Sequence, residues 1–548
     1  MSTYTLTLLD TVGIQDYIFG SNVLRENIGA SELVQRATRP WPFEEVRALG
    51  GTNVRPDRAL NGDPDDLNAD LRIEDDGLNA EVIYAGGGNC AVLFANRDAA
   101  TDYVTRLSCR VVTEAPELDL VAVHVRVDWD ADALAYKLKD ALAQLAIKKR
   151  DRRVSTPLLG MATTVACRST GLPAVGTDPD LRPLSAGILA KLEVVEDANK
   201  RLADCLPHFD EAGLKVPYDF DNFGREAGEI SYIAVVHADG NGMGGRIEAL
   251  RSRFSCPDDN RGYIQAMRAF SRAVEDGSKQ ALSEISDLLV RHRSPDGQTI
   301  TGKTWDNGKP VEVGELRLVE DRERRHRYAP FRPVVFGGDD LTFVTDGRLG
   351  LALAAAYLNA FEAAMNAQSN KDVHDLQACA GVAVVKVHYP FARAYVLADD
   401  LCRNAKKFSE RKQSALDWHF AATGLFGGVE AIRQRQYEVR AGHLAMRPVT
   451  LHEQVGKWRS WPAFASVTKE FLTGRDWKDK RNKVIALRQA LRDGPEAVSQ
   501  FRSAYGLEAL PLVAASIEAL QTTGWDGAGW CGYFDPVEAL DFFLPLEG

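Results

Sequence analysis

One pattern occurs twice in this chain, and it limits the folds available. Residues 5–10 are largely apolar and end on Asp10, before a glycine-containing turn; residues 232–239 end on Asp239 in the same way, before the glycine-rich stretch 240–245. Both read as buried strands that finish on a carboxylate. Residues 81–94 then form a strand, a turn of Gly86, Gly87 and Gly88, and a second strand; residues 333–344 are the counterpart, with Gly337, Gly338, Asp339 and Asp340 at the tip. Glycines supply the positive φ that short hairpin turns need. A third strand follows in each copy. Residues 120–127 precede a helical pattern ending at Lys148 and Lys149, and residues 381–387 precede one ending at Lys406 and Lys407. Apolar residues on most faces predict a further helix over 351–364. Each copy therefore predicts a βαββαβ unit, and the fold class is α+β: two ferredoxin-like domains plus helical domains.

The boundaries follow from this repeat. The first unit covers 1–152, a partly helical bridging segment with a helical patch at 189–202 covers 153–228, the second unit covers 229–425, and a helical domain covers 426–548. Residues 291–330, with Asp296-Gly297, Asn307-Gly308 and a charged run, read as a surface excursion inserted in the second unit. Helices are expected at 477–492 and 511–522, with Pro511 in the first turn of the latter. Trp525, Trp530, Tyr533 and Phe534 read as core of the helical domain.

Composition excludes several classes. The chain has 548 residues, a net charge of −11, 45% apolar and 26% charged residues, which is ordinary globular composition rather than disorder, collagen or coiled coil. The longest apolar stretch, 349–358, is too short to span a bilayer. The N-terminus has no basic segment followed by an apolar core. A cytoplasmic protein without a membrane partner is expected. The eight cysteines form no Cys-x-x-Cys pair, so they read as reduced thiols rather than a disulfide framework or zinc ribbon. The acidic balance argues against broad, charge-driven nucleic-acid binding. The basic clusters at 148–153 and 322–327 mix both signs and read as solvated faces.

The second unit carries the chemistry. Its first strand lies beside the hairpin in a βαββαβ sheet, so Asp239 can meet Asp339 and Asp340. Three gathered carboxylates repel one another unless a cation lies between them. Oxygen ligands favour Mg²⁺ or Mn²⁺, and such sites serve two-metal phosphoryl transfer. The turn Gly240, Asn241, Gly242, Met243 exposes backbone N–H groups leading into a helix, an arrangement suited to a triphosphate. Gly337 and Gly338 shape the hairpin tip and are candidate nucleotide-binding residues. Lys386 and Lys406 are candidates to neutralise phosphate charge.

These motifs give the chain a resemblance. Residues 238–244, 336–341, 380–386 and 404–407 resemble the catalytic palm of the large subunit of type III CRISPR effectors, the Cas-ten family, and more distantly GGDEF and class III nucleotide cyclases. Residues 14–19 and 29–33 are similar to that family's first palm, and Arg447-Pro448 is also similar to the family. The resemblance implies an enzyme that joins ATP into cyclic oligoadenylates for antiviral defence. By it, Asp239, Asp339 and Asp340 carry the metals, with Asp339 and Asp340 catalytic. One ATP binds the second palm as donor, and another binds near Gly87 and Gly88 of the first palm and offers its 3′-hydroxyl. Gly88 and Asn89 stand where the second palm has Asp339 and Asp340, so the first palm is expected to bind nucleotide without catalysing. The resemblance also implies other type III subunits, crRNA and target RNA as partners. The family's HD nuclease and its paired-cysteine zinc finger are not expected; His374-Asp375 reads as surface loop, and Cys167 as a remnant at most. A cyclase making a cyclic mono- or dinucleotide, and a non-catalytic nucleotide-binding scaffold of a guide-RNA complex, are the competing readings.

Overall fold

A computed structural model describes residues 2–152, 160–161, 163–223, 231–306, 308–321, 323, 325–421, 427–513 and 517–547. In the first unit the apolar run after Ser2 forms β1 (Thr3–Val12), followed by α1 (Ile14–Phe19), α2 (Leu24–Thr38) and α3 (Pro40–Ala48). The glycine hairpin joins β2 (Ala80–Gly86) to β3 (Asn89–Phe94); α4 (Arg97–Glu114), β4 (Asp119–Asp128) and α5 (Leu134–Asp151) complete the unit. The sheet order β2-β3-β1-β4 is that of a ferredoxin-like βαββαβ unit. The bridging patch forms two helices, α6 (Ala186–Glu193) and α7 (Val195–Ala203).

The second unit repeats the plan with additions. Its elements are β5 (Tyr232–Gly240), α8 (Met243–Ser252), the long α9 (Asn260–Arg291), an inserted hairpin of β6 (Thr299–Asp306) and β7 (Lys309–Arg317), β8 (Phe331–Gly337), β9 (Asp340–Asp346), α10 (Gly350–Ala367), β10 (Ala378–Lys386), α11 (Phe391–Phe408) and β11 (Ala415–Ala421). The order β8-β9-β5-β10 copies the first sheet, and β11 then adds in parallel beyond β10. A short β12 (Val449–Thr450) from the following region pairs with β11, so this sheet continues past residue 425.

Alternation along β5 sends Ala234, Val236 and Ala238 into one apolar core with α9 and α10, and Ile233 and Val235 into another with α11. Each core also takes in one face of the first palm, so the two sheets share their cores rather than merely touching. Helix α9 is the main strut between them. Near its start, Asn260 accepts from the Leu134 N–H and donates to the Trp129 and Asp132 carbonyls. Glu81 of β2, fully buried, binds Arg261 and Arg268 of α9. On its other side α9 packs along α10.

The C-terminal region is helical: α12 (Val429–Tyr437), α13 (Trp461–Thr473), α14 (Arg481–Asp493), α15 (Pro495–Ala504), α16 (Glu518–Thr523) and α17 (Phe534–Ala539). Trp525, Tyr533 and Phe534 are buried there, and Trp530 stacks on His443.

Three expectations need correction. The hairpin β6–β7 is not a free surface excursion: Lys303 exchanges backbone hydrogen bonds with Pro545 and Glu547, and Thr304 is buried with its hydroxyl on the Glu547 carboxylate. Pro511 does not open a helix, since α16 starts at Glu518; residues 514–516 lie outside the described residues. Trp477 precedes α14 rather than beginning it, because its indole is buried against Phe471. Asn307, Arg322 and Arg324, and the stretch 153–159 with which the bridging segment begins, also lie outside the described residues. The eight cysteines are all unpaired. Among the described residues no helix is long and apolar enough to cross a membrane.

Candidate active site

The antiparallel register brings the predicted carboxylates together. Asp239, at the end of β5, pairs directly with Asp340, the first residue of β9. Asp339 occupies the turn between β8 and β9, and the Gly240 N–H donates to its carbonyl at 3.1 Å. A Cβ at Gly240 would stand 2.8 Å from Asp339 Cβ, so only glycine lets the hairpin tip approach the strand end this closely. Gly338 holds φ +65° in the turn, and the Ser278 hydroxyl of α9 donates to its carbonyl.

Helix α11 delivers the basic group. Chain β10 leaves the site, and α11 returns to it across the back of the sheet. At Gly381 an added Cβ would lie 1.9 Å from the Ala398 carbonyl oxygen; glycine there lets the helix rest on the strand. The Lys406 ammonium consequently reaches Asp239 Oδ2 at 2.6 Å and the Gly240 carbonyl at 2.9 Å.

The electrostatics are those of crowded acids. Burial, then the charges of Asp239 and Asp340, push the Asp339 carboxyl up to about 6. Burial also raises Asp340, against the opposing pull of His237, and Asp340 Oδ1 is out of water without a hydrogen-bond partner among the described residues. An oxygen-seeking divalent cation would relieve both conditions, and carboxylates like these are the ligand chemistry that holds one. Their present side-chain directions do not converge on one point: among the described residues no three His, Cys, Asp or Glu groups are gathered to hold a metal, and Lys406 takes the Asp239 carboxylate instead.

The glycine turn divides into two parts. Gly242 adopts φ +71° as the N-cap of α8, and Gly244 and Gly245 have open space where a side chain would be. Met243 begins the helix and packs partly against the core. Asn241 does not face a ligand. Its side chain is buried and donates to the Gln413 carbonyl and toward Cys379 Sγ, because its backbone N–H is bound to Gln377 and the turn curls inward there. Lys386 is also misplaced. It pairs with Tyr232 at the opposite end of β5, about 23 Å from Asp239 along the strand. The sequence held the signal: β10 runs antiparallel to β5, so its last residue must lie by the first of β5.

The first palm repeats the geometry without the acidic pair. Asp10 pairs with Asn89 as Asp239 pairs with Asp340, and Gly87 and Gly88 form the turn with positive φ. Lys149 Nζ lies 2.5 Å from Asp10 Oδ2, a match to Lys406 and Asp239 that periodicity alone did not show. Both hairpins meet α9. A Cβ at Gly86 would lie 3.1 Å from Ser271 Oγ, and Ser278 holds Gly338. Ser271 and Ser278 share a helix face two turns apart, a rise of about 10 Å.

Residues 232–415 match the family model of Cas10/Cmr2, second palm domain. No curated protein sequence matches the chain at a significant level. Solved structures with a similar fold include a Csm1–Csm4 cassette in complex with AMPPNP, 13% identical over 98% of this chain and 70% of that one with a TM-score of 0.49. Csm1 in T. onnurineus is 12% identical over the same shares, also at 0.49. The cassette in complex with cA3 is 12% identical over 98% and 70%, at 0.47.

Proposed function

We propose that this chain, a member of the Cas10 family by its second palm domain, is a nucleotidyltransferase that joins ATP molecules into cyclic oligoadenylates as the large subunit of a type III CRISPR effector. The observation that carries the reading is the register-locked meeting of Asp239 with the Asp339–Asp340 turn, closed from behind by Lys406.

In this reading Asp239, Asp339 and Asp340 hold Mg²⁺ or Mn²⁺. Bound there, divalent ions supply the Lewis acidity that activates a 3′-hydroxyl and stabilises departing pyrophosphate. The protein's part is placement. The open N–H groups at Gly242, Gly244 and Gly245 and the start of α8 receive the donor triphosphate. Lys406 adds positive charge beside the same strand end. The first palm, with Gly87, Gly88 and Asn89 at its tip, holds the acceptor nucleotide and has too few carboxylates for chemistry of its own. Helix α9 fixes the distance between the two tips. Other type III subunits, crRNA and target RNA are the partners this assignment requires.

The test is incubation with each nucleoside triphosphate and Mg²⁺ or Mn²⁺, with and without target RNA and the partner subunits, followed by mass spectrometry of the products. Cyclic oligoadenylates support the reading. A cyclic mononucleotide or dinucleotide as the main product, or no product from the assembled complex, overturns it.

A further inference from the structure

A polar network surrounds the second-palm carboxylates and is missing from the first palm, although both palms keep the strand aspartate and its lysine. His237 lies two residues before Asp239 on β5 and so shares its face of the sheet; it is buried. Its Nδ1 is 3.0 Å from Thr342 Oγ1 and 3.4 Å from Asp340 Oδ1, and its Nε2 is 3.8 Å from Asp399 Oδ1 on α11. Arg403 binds the other oxygen of Asp399. The Tyr395 ring stands edge-on to the imidazole at 5.5 Å.

The first palm provides an internal control. Matching Asp10 and Lys149 to Asp239 and Lys406 by strand register and sequence offset sets Leu8 against His237. Ala91, which pairs with Leu8, takes the place of Thr342, which pairs with His237. Leu142, as far before its lysine as Asp399 is before Lys406, takes the place of Asp399. Leu8 and Ala91 are fully buried, and Leu142 packs against the same apolar core. The fold therefore does not need a buried imidazole and carboxylate here, and burying them costs free energy that an apolar trio avoids. The polar trio occurs only where Asn89 is replaced by the acidic Asp340.

We propose that His237, held by Thr342 and Asp399, is a positioning residue that fixes the direction of the Asp340 carboxylate toward the divalent cation. This rests on the metal-binding reading above. Groups that orient a metal ligand from outside typically change metal affinity or activity by about 10–100-fold when removed. Asp340 Oδ1 is buried and without a hydrogen bond among the described residues, and His237 Nδ1 stands 3.4 Å from it.

The test copies the first palm into the second. The variant carrying His237→Leu, Thr342→Ala and Asp399→Leu rebuilds a trio that already packs in this chain. Mn²⁺ binding to the whole protein with a non-hydrolysable ATP analogue, followed by electron paramagnetic resonance, should weaken by about 10–100-fold. The kcat for ATP should fall in parallel while KM stays nearly unchanged. His237→Asn, which keeps a polar group near the Nδ1 position, should recover most of both. Wild-type Mn²⁺ affinity in the triple variant, or an equal loss in His237→Asn and His237→Leu, overturns the proposal. Wild-type protein that binds Mn²⁺ but makes no product removes the synthase reading, and the Mn²⁺ comparison still decides the role of His237. Wild-type protein that binds no Mn²⁺ overturns both.

Discussion

The Lys406 ammonium lies 2.6 Å from the Asp239 carboxylate, so a helix-borne lysine supplies counter-charge to the strand carboxylate. On the proposed function, the same lysine would neutralise a phosphate bound beside Asp239. Lys406→Ala should lower the rate of nucleotide joining by about 10²-fold, the scale on which a single charge-stabilising donor acts in a buried site. Steady-state kinetics across ATP concentrations check this. Unchanged kcat would show that Lys406 is only a structural partner of Asp239.

The paired substitution Asp339→Ala and Asp340→Ala should abolish product formation. It should not unfold the protein, because Asp339 has its carboxyl pushed up to about 6 by burial and by its acidic neighbours. A carboxyl raised in this way favours the folded state less as pH climbs from its unfolded value near 4 through about 6, so its removal relieves repulsion at pH 7. The expected result is a melting temperature equal to or above wild type, measured by calorimetry without divalent ions, together with loss of turnover. Retained turnover would remove the site assignment.

Lys386→Ala is the converse experiment. Its side chain is exposed at the strand end beside Tyr232, away from Asp239. Turnover and ATP affinity should both stay within error of wild type, read in the same product assay. A large loss would require a second functional surface at that end of the sheet.

These placements show what a sequence can carry. The strand that ends on Asp239 and the Gly337-Gly338-Asp339-Asp340 turn were legible because period-two burial and glycine turns are local signals, and βαββαβ topology then joins them. Lys149 on Asp10 was not legible as a contact, since the two helices differ in register and only the folded packing shows which lysine reaches the strand. The burial of Asn241 was hidden for a similar reason: a glycine-rich turn gives no sign of which of its side chains folds inward. Helix α9 was hidden most completely. Its attachment to the first palm runs through Glu81 with Arg261 and Arg268, residues far apart in the chain, and no periodicity reports such a pairing.

That attachment is testable. Glu81 is fully buried, accepts from both arginines, and also accepts from the Ile73 N–H. The arginines hold its carboxyl below the usual range despite burial. Glu81→Ala would leave the buried Arg268 guanidinium without its carboxylate, while Arg261 keeps Glu74, a loss of about 3–5 kcal/mol. Denaturant unfolding should show this as a lowered midpoint. A midpoint close to wild type would mean that the other contacts of α9, among them Arg261 with Glu74 and the Asn260 hydrogen bonds, hold it to the first palm without Glu81.

His419 on β11 gives a pH dependence of defined sign. Burial, with Arg447 and Arg433 beside it, pulls its imidazole down to about 3, and its Nδ1 has no hydrogen-bond partner among the described residues. The unfolded chain protonates the same ring near pH 6.5. Between these values the unfolded state binds a proton that the folded state refuses, so stability must fall as pH falls, by about 1.4 kcal/mol per unit once well below 6.5. The buried, raised carboxyls of Asp346 and Asp535 act in the opposite direction, and a comparison of variants removes them. His419→Gln should lose about 1.5–2 kcal/mol less than wild type between pH 6.5 and pH 5. Denaturant midpoints at the two pH values measure it. Equal losses in both proteins would mean that the folded state admits the proton, and that the two arginines do not keep His419 neutral.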